Sequence, residues 1–120
     1  MKKEDNAREE RIAMEIVVDC YNEGEQAMGW YYYLEETLRF PFRARCIARR
    51  TISPLMKGEV VEVLKMAADE ECEKDMFVII RWEGRQMGVP LAQLEGVGVD
   101  DKTEEAMQDW HYWVRRGYVF

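Results

Sequence analysis

Chemistry-bearing residues are scarce in this 120-residue chain. It has one histidine, His111, one serine, Ser53, and three threonines, Thr37, Thr51 and Thr103. A Ser–His–Asp triad would need Ser53 beside His111, and Ser53 directly precedes Pro54 in a turn-forming stretch. A single histidine excludes a multi-histidine metal site. Cys20, Cys46 and Cys72 are odd in number and form no CxxC pair, which indicates neither a zinc ribbon nor a disulfide framework. They read as free, mostly buried thiols in a reducing compartment. The first ten residues, MKKEDNAREE, contain no apolar signal core. The longest apolar run, Met28 to Leu34, is too short to cross a bilayer. These absences predict a cytoplasmic protein with no membrane contact.

Enzymatic motifs are also missing. Gly96-x-Gly98 lacks the third glycine of a dinucleotide fingerprint, and no Walker pattern occurs. Carboxylates are plentiful, yet no spacing singles out a general acid and a general base. A cysteine nucleophile would need His111 nearby. Cys72 is the exposed candidate, and its acidic neighbours would raise its pKa. The chain reads as a non-enzyme.

What is present is apolar surface and acid. Apolar residues make up 48% and aromatics 12% of the chain, which argues for a packed core. The length suits one domain spanning residues 1–120. Twenty-four acids against 17 bases give a net charge of −7, which favours cations or basic partners over nucleic acid.

The expected fold is α+β: two N-terminal helices, an SH3-like five-stranded β-barrel and a C-terminal helix. The helical segment covers 6–38. Asn6 with Glu9 suggests a capping box, and Ile12, Ala13, Ile16, Val17 and Cys20 follow at helical spacing. A turn at Asn22 to Gly24 precedes a second helix from Glu25 to Leu38, with Ala27, Tyr31, Leu34 and Leu38 on one face. Short strands punctuated by turns fill 42–99. Arg43, Arg45, Ile47 and Arg49 alternate with Ala44, Cys46 and Ala48, and Glu83-Gly84 fits a hairpin turn. Asp101 and Glu104 form another capping box and open a final helix over 101–116, with Ala106, Trp110, Trp113 and Val114 on its apolar face. Gly117 stops it.

Two acidic groups stand out. Asp69, Glu70, Glu71, Glu73 and Asp75 crowd one predicted loop with Lys74 as its only base. Such a loop is relieved by a divalent cation, and Ca²⁺ accepts six to eight oxygens in flexible geometry. A solvated charge run is the alternative. Asp19, Glu23, Glu35 and Glu36 form a second candidate metal set around the second helix. No EF-hand pattern exists. The opposite charge clusters too: six bases and no acid lie between Arg39 and Lys57. Arg43, Arg45 and Arg49 define an alternative function, an SH3-like adaptor face for protein or nucleic acid, and internal pairing with carboxylates competes with it.

Several stretches resemble a known family. They are Asp19-Cys20-Tyr21, the run Ala27 to Glu35 (AMGWYYYLE), and Phe40-Pro41-Phe42. Lys57-Gly58-Glu59-Val60, Glu71-Cys72-Glu73, Val78 to Trp82, Val89-Pro90-Leu91 and Asp109 to Trp113 (DWHYW) agree as well. Together they are similar to the small acidic, non-EF-hand calcium-binding proteins typified by cyanobacterial CcbP, over about residues 8–120. The resemblance implies a soluble cytoplasmic protein that binds calcium through surface carboxylates. For the cyanobacterial member it implies sequestration that lowers the free ion during cell differentiation. Calcium buffering or sensing is therefore the expected function.

Overall fold

The computed structural model describes residues 5–117. Helix α1 (Asn6–Arg11) runs into a π-helical turn (Ile12–Ile16), and α2 (Glu23–Thr37) follows. Five strands come next: β1 (Phe42–Cys46), β2 (Val60–Met66), β3 (Phe77–Trp82), β4 (Arg85–Pro90) and β5 (Leu94–Val97). A 3-10 turn (Asp69–Cys72) lies between β2 and β3, another (Leu91–Gln93) between β4 and β5, and α3 (Asp101–Arg115) ends the order.

Helix starts are set by side chains that accept orphan backbone N–H groups. Asp5 caps α1 by accepting from the Arg8 N–H at 3.0 Å, and Asp100 caps α3 by accepting from the Thr103 N–H at 2.8 Å. Both caps lie one residue before the expected Asn6 and Asp101. Asn22, expected as a turn residue, caps α2 through the Glu25 N–H at 2.9 Å, so that helix starts at Glu23 rather than Glu25. The first helical segment is shorter than the 6–20 expectation. Val17 leaves the helical region, and Asp19 adopts φ 60°, a left-handed conformation that aspartate tolerates. At Gly29 a Cβ would sit 2.6 Å from the Ile16 carbonyl oxygen, so only glycine lets α2 press against the π-turn.

The sheet is antiparallel throughout, in the order β4-β3-β2-β1-β5. Both residues of the β3–β4 turn, Glu83 and Gly84, have positive φ, as a tight hairpin turn requires. Arg43 and Arg45 point out of β1 while Phe42, Ala44 and Cys46 point in, as alternation predicts. The expected barrel does not close. No ladder joins β4 to β5 among the described residues. Instead α3 packs beside β5, where the His111 Nε2–H donates to the Leu94 carbonyl at 2.6 Å.

One apolar cluster lies between the helices and the sheet. Ala27, Trp30, Tyr31 and Leu34 of α2 enter it with Ala106, Met107, Trp110 and Trp113 of α3. Trp30 is fully buried, and its ring meets Trp110 edge-on at 5.0 Å and Trp113 at 5.4 Å. Trp30 and Tyr31 of α2 are core, whereas Tyr32 is exposed.

Candidate calcium site

The β2–β3 excursion is built from its buried residues outward. Ala67 and Phe77 close its neck through the Ala67 N–H, which donates to the Phe77 carbonyl at 3.0 Å. Inside the neck, the Cys72 and Met76 side chains are buried, and the Phe77 N–H donates to Cys72 Sγ at 3.4 Å. These two apolar anchors hold the segment down. Asp69, Glu70, Glu71 and Glu73 are left on the outside, exposed to water. Cys72 is therefore not the exposed thiol the charge run suggested. Burial pushes its thiol pKa up, the Phe77 N–H opposes this, and the carboxylates of Glu71, Asp75 and Asp69 add to the rise, so it is not primed for nucleophilic attack.

Asp75 differs from its neighbours. It is half-buried, and burial pushes its carboxyl pKa up against the Met76 N–H and Arg50, which favour the charge. Its Oδ1 accepts from the Met76 N–H at 2.8 Å.

The second expected ligand set is divided. Asp19 lies in the turn before α2 and Glu23 is its first residue, whereas Glu35 and Glu36 sit in its last turns. Twelve residues at the helical rise separate Glu23 from Glu35 by about 18 Å. No single ion spans that distance. Glu35 and Glu36 also diverge, being one residue apart on a helix. Glu36 lines a groove with Arg39, Asp100 and Lys102 at the α2–α3 end of the molecule.

Glu35 instead faces the acidic excursion, and Tyr31 is the link. The Tyr31 hydroxyl donates to the Ala67 carbonyl at 2.8 Å and lies 3.5 Å from Glu35 Oε2. Its pKa is pushed up to about 12, by burial first and then by the negative field of Glu35, Cys72 and Asp69. Glu35 and Asp69 thus act on one hydroxyl from two different elements. The resulting acidic surface comprises Glu35, Asp69, Glu70, Glu71, Glu73 and Asp75. Among the described residues, no three acid, cysteine or histidine side chains converge as a ready-made metal cage. The donors are nevertheless of the right kind. Exposed oxygen ligands on a short turn suit calcium, which accepts irregular coordination.

Neither Tyr31 nor Arg50 was marked by sequence. Tyr31 sits on the apolar face of its helix, and Arg50 belongs to the basic stretch. Only the chain's return past the sheet brings them to the acids.

On the arginine face, Arg45 is paired with an acid across the sheet. Arg45 Nη1 lies 3.1 Å from Glu95 Oε1, and Arg81 Nε lies 3.1 Å from Glu62 Oε1. Glu62 is also the cross-strand partner of Arg43. Arg49 leaves this face, because β1 ends at Cys46.

A fully buried carboxylate, Asp109, lies among the helices. Its oxygens accept from Arg8 Nη1 at 2.6 Å, from Arg11 Nη1 and Nη2 at 2.6 and 2.8 Å, and from the Tyr33 hydroxyl at 2.7 Å. Close by, the Tyr112 hydroxyl donates to Glu9 Oε2 at 2.6 Å and accepts from the Asp5 N–H at 3.0 Å. This knot ties α1 to α2 and α3.

No curated protein sequence matches the chain. The crystal structure of Anabaena CcbP superimposes with a TM-score of 0.87 at 44% identity, covering 98% of this chain and 97% of that one. A structure described as a calcium binding protein in the calcium-binding form gives a TM-score of 0.86, also at 44% identity, over 97% of this chain and 95% of that one. The pattern of the CcbP family, described as "Calcium binding", matches residues 10–114. With its fold, its acidic excursion and this match over most of its length, the chain belongs to the CcbP family of calcium-binding proteins.

Proposed function

We propose that Ca²⁺ binds at the β2–β3 excursion, where Asp69, Glu70, Glu71, Glu73 and Asp75 supply oxygens and Glu35 flanks them from α2. The anchoring of the excursion carries this reading. Cys72 and Met76 fix the turn from below, while four of its five carboxylates stay exposed. Like charges on one short turn repel one another, and an ion at roughly 2.3–2.6 Å from its oxygens reverses that cost. The ligands assemble as the ion arrives. In the cytoplasm the site serves as a calcium buffer if ordering stays within the turn. It serves as a sensor if ordering spreads through Tyr31 into α2.

Calorimetric titration of metal-free protein with calcium, in physiological salt and millimolar magnesium, tests the assignment. Wild type should give saturable heat, and binding should raise the melting temperature by mass action. Changing Glu70, Glu71 and Glu73 together to glutamine should weaken binding at least tenfold, while D19N/E23Q leaves it unchanged. Unaltered affinity in the triple variant would move the ion elsewhere.

A further inference from the structure

The connection from β1 to β2 carries Arg49, Arg50 and Lys57, and it folds back beside the acidic excursion. Arg50 Nη2 lies 3.7 Å from Asp75 Oδ2. The other Asp75 oxygen is occupied by the Met76 N–H. Asp75 therefore presents one free oxygen, and a guanidinium stands over it. Asp69, Glu70, Glu71 and Glu73 make no ion pair with other described residues. The Arg50 contact is long and made through one nitrogen, unlike the two short bonds from Arg11 to Asp109. Its geometry is that of a displaceable partner rather than a lock.

We propose that Arg50 is the resident counter-cation of the calcium site, holding Asp75 Oδ2 until the ion displaces it and thereby setting the site's affinity. This rests on the acidic excursion being the site. A divalent ion that takes Asp75 as a ligand must push the guanidinium away. One that binds the other carboxylates without Asp75 still meets a positive charge a few ångströms off. Either route makes Arg50 a brake on binding. Arg50 touches no ion itself; it acts as a positioning residue through Asp75.

Calcium titration of R50Q, R50K and R85Q, in millimolar magnesium and with melting curves for each, tests this. R85Q removes the same charge from the start of β4, the length of β3 away from the acids. From Coulomb's law in a mostly aqueous surrounding, R50Q should bind calcium roughly three- to tenfold more tightly than wild type. R50K, which restores the charge, and R85Q should both stay within about twofold of wild type on the same scale. Equal affinity in R50Q and R85Q overturns the inference, as does weaker binding in R50Q. If the E70Q/E71Q/E73Q variant loses calcium while R50Q matches wild type, only the role of Arg50 fails. If neither variant changes the affinity, the site assignment fails and the inference with it.

Discussion

Carboxylates do opposite work in two parts of this molecule. Asp109, at the junction of the three helices, is fully buried and held by Arg8, Arg11 and Tyr33. Asp69, Glu70, Glu71 and Glu73, on the excursion between β2 and β3, are exposed to water. Taking a charge out of water is tolerable only if protein groups replace the lost hydration, so Asp109 has its oxygens filled by internal donors. The excursion keeps its charges hydrated and therefore available. An ion can compete with water for them far more easily than with two guanidinium groups. Paired charge builds structure, and unpaired charge is left for ligands.

The largest effect should come from breaking the buried side. Asp109→Ala strands two arginines and a tyrosine hydroxyl around an empty place, and losing one partner of a buried ion pair costs about 3–5 kcal/mol. Urea denaturation of metal-free protein should show that loss, and a loss below about 1 kcal/mol would mean that the knot is not a structural centre. A far smaller effect is expected from E70Q/E71Q/E73Q without calcium, although it removes three charges instead of one. Exposed substitutions of this kind stay within about 0.5 kcal/mol each, and relief of repulsion makes the sign stabilising. The same denaturation experiment reads it, and a marked loss of stability would show these acids to be structural.

The smallest effect is a pH dependence at His111, whose surroundings fall between the two extremes. Burial and Arg115 hold its pKa below the usual histidine range, against the Leu94 hydrogen bond and the acids Glu104 and Glu95. Above that range the ring is neutral in both folded and unfolded chains. As the pH falls, the unfolded chain takes up its proton first, so stability is lost until the folded ring is protonated as well. Denaturation curves from pH 7.5 down to the acid range should show this decline, and H111Q should flatten it. A wild-type profile no steeper than that of H111Q would contradict the sign.

The fold was more legible than the site, and two of its errors share a cause. A capping box is sought as a polar residue followed three positions later by glutamate, which selects Asn6 with Glu9 and Asp101 with Glu104. The actual caps, Asp5 and Asp100, bond the backbone N–H of Arg8 and Thr103, a bond that needs no glutamate. In both places two adjacent polar residues competed, and the side-chain rule chose the wrong one. Alternation along β1, the Glu83-Gly84 turn and the face of α2 were readable because their partners repeat at fixed local spacing. The expected barrel closure failed because strand count says nothing about where α3 will lie.

The acidic excursion was visible as a charge run between two apolar segments. Its internal differences were not. Cys72 reads as one more loop residue until Phe77 returns to bond it, and Asp75 reads as equivalent to Glu73 until Arg50 arrives from the other side of β2. Glu35 and Glu36 are adjacent in sequence but turn toward different neighbours. Asp109, in the middle of an amphipathic helix, carries no local mark of being buried.

The Asp109 knot also sets where the chain can be cut. Two of its three partners, Arg8 and Arg11, come from α1, and the Tyr112 hydroxyl reaches back to Asp5 and Glu9 in the same segment. Residues 5–11 therefore act as a cap over the inside of the molecule. A start codon placed after Arg11 would encode the whole sheet, α2 and α3, yet leave the Asp109 carboxyl without either of its arginine partners. A shortened chain that keeps this knot must begin before Arg8, upstream of every strand.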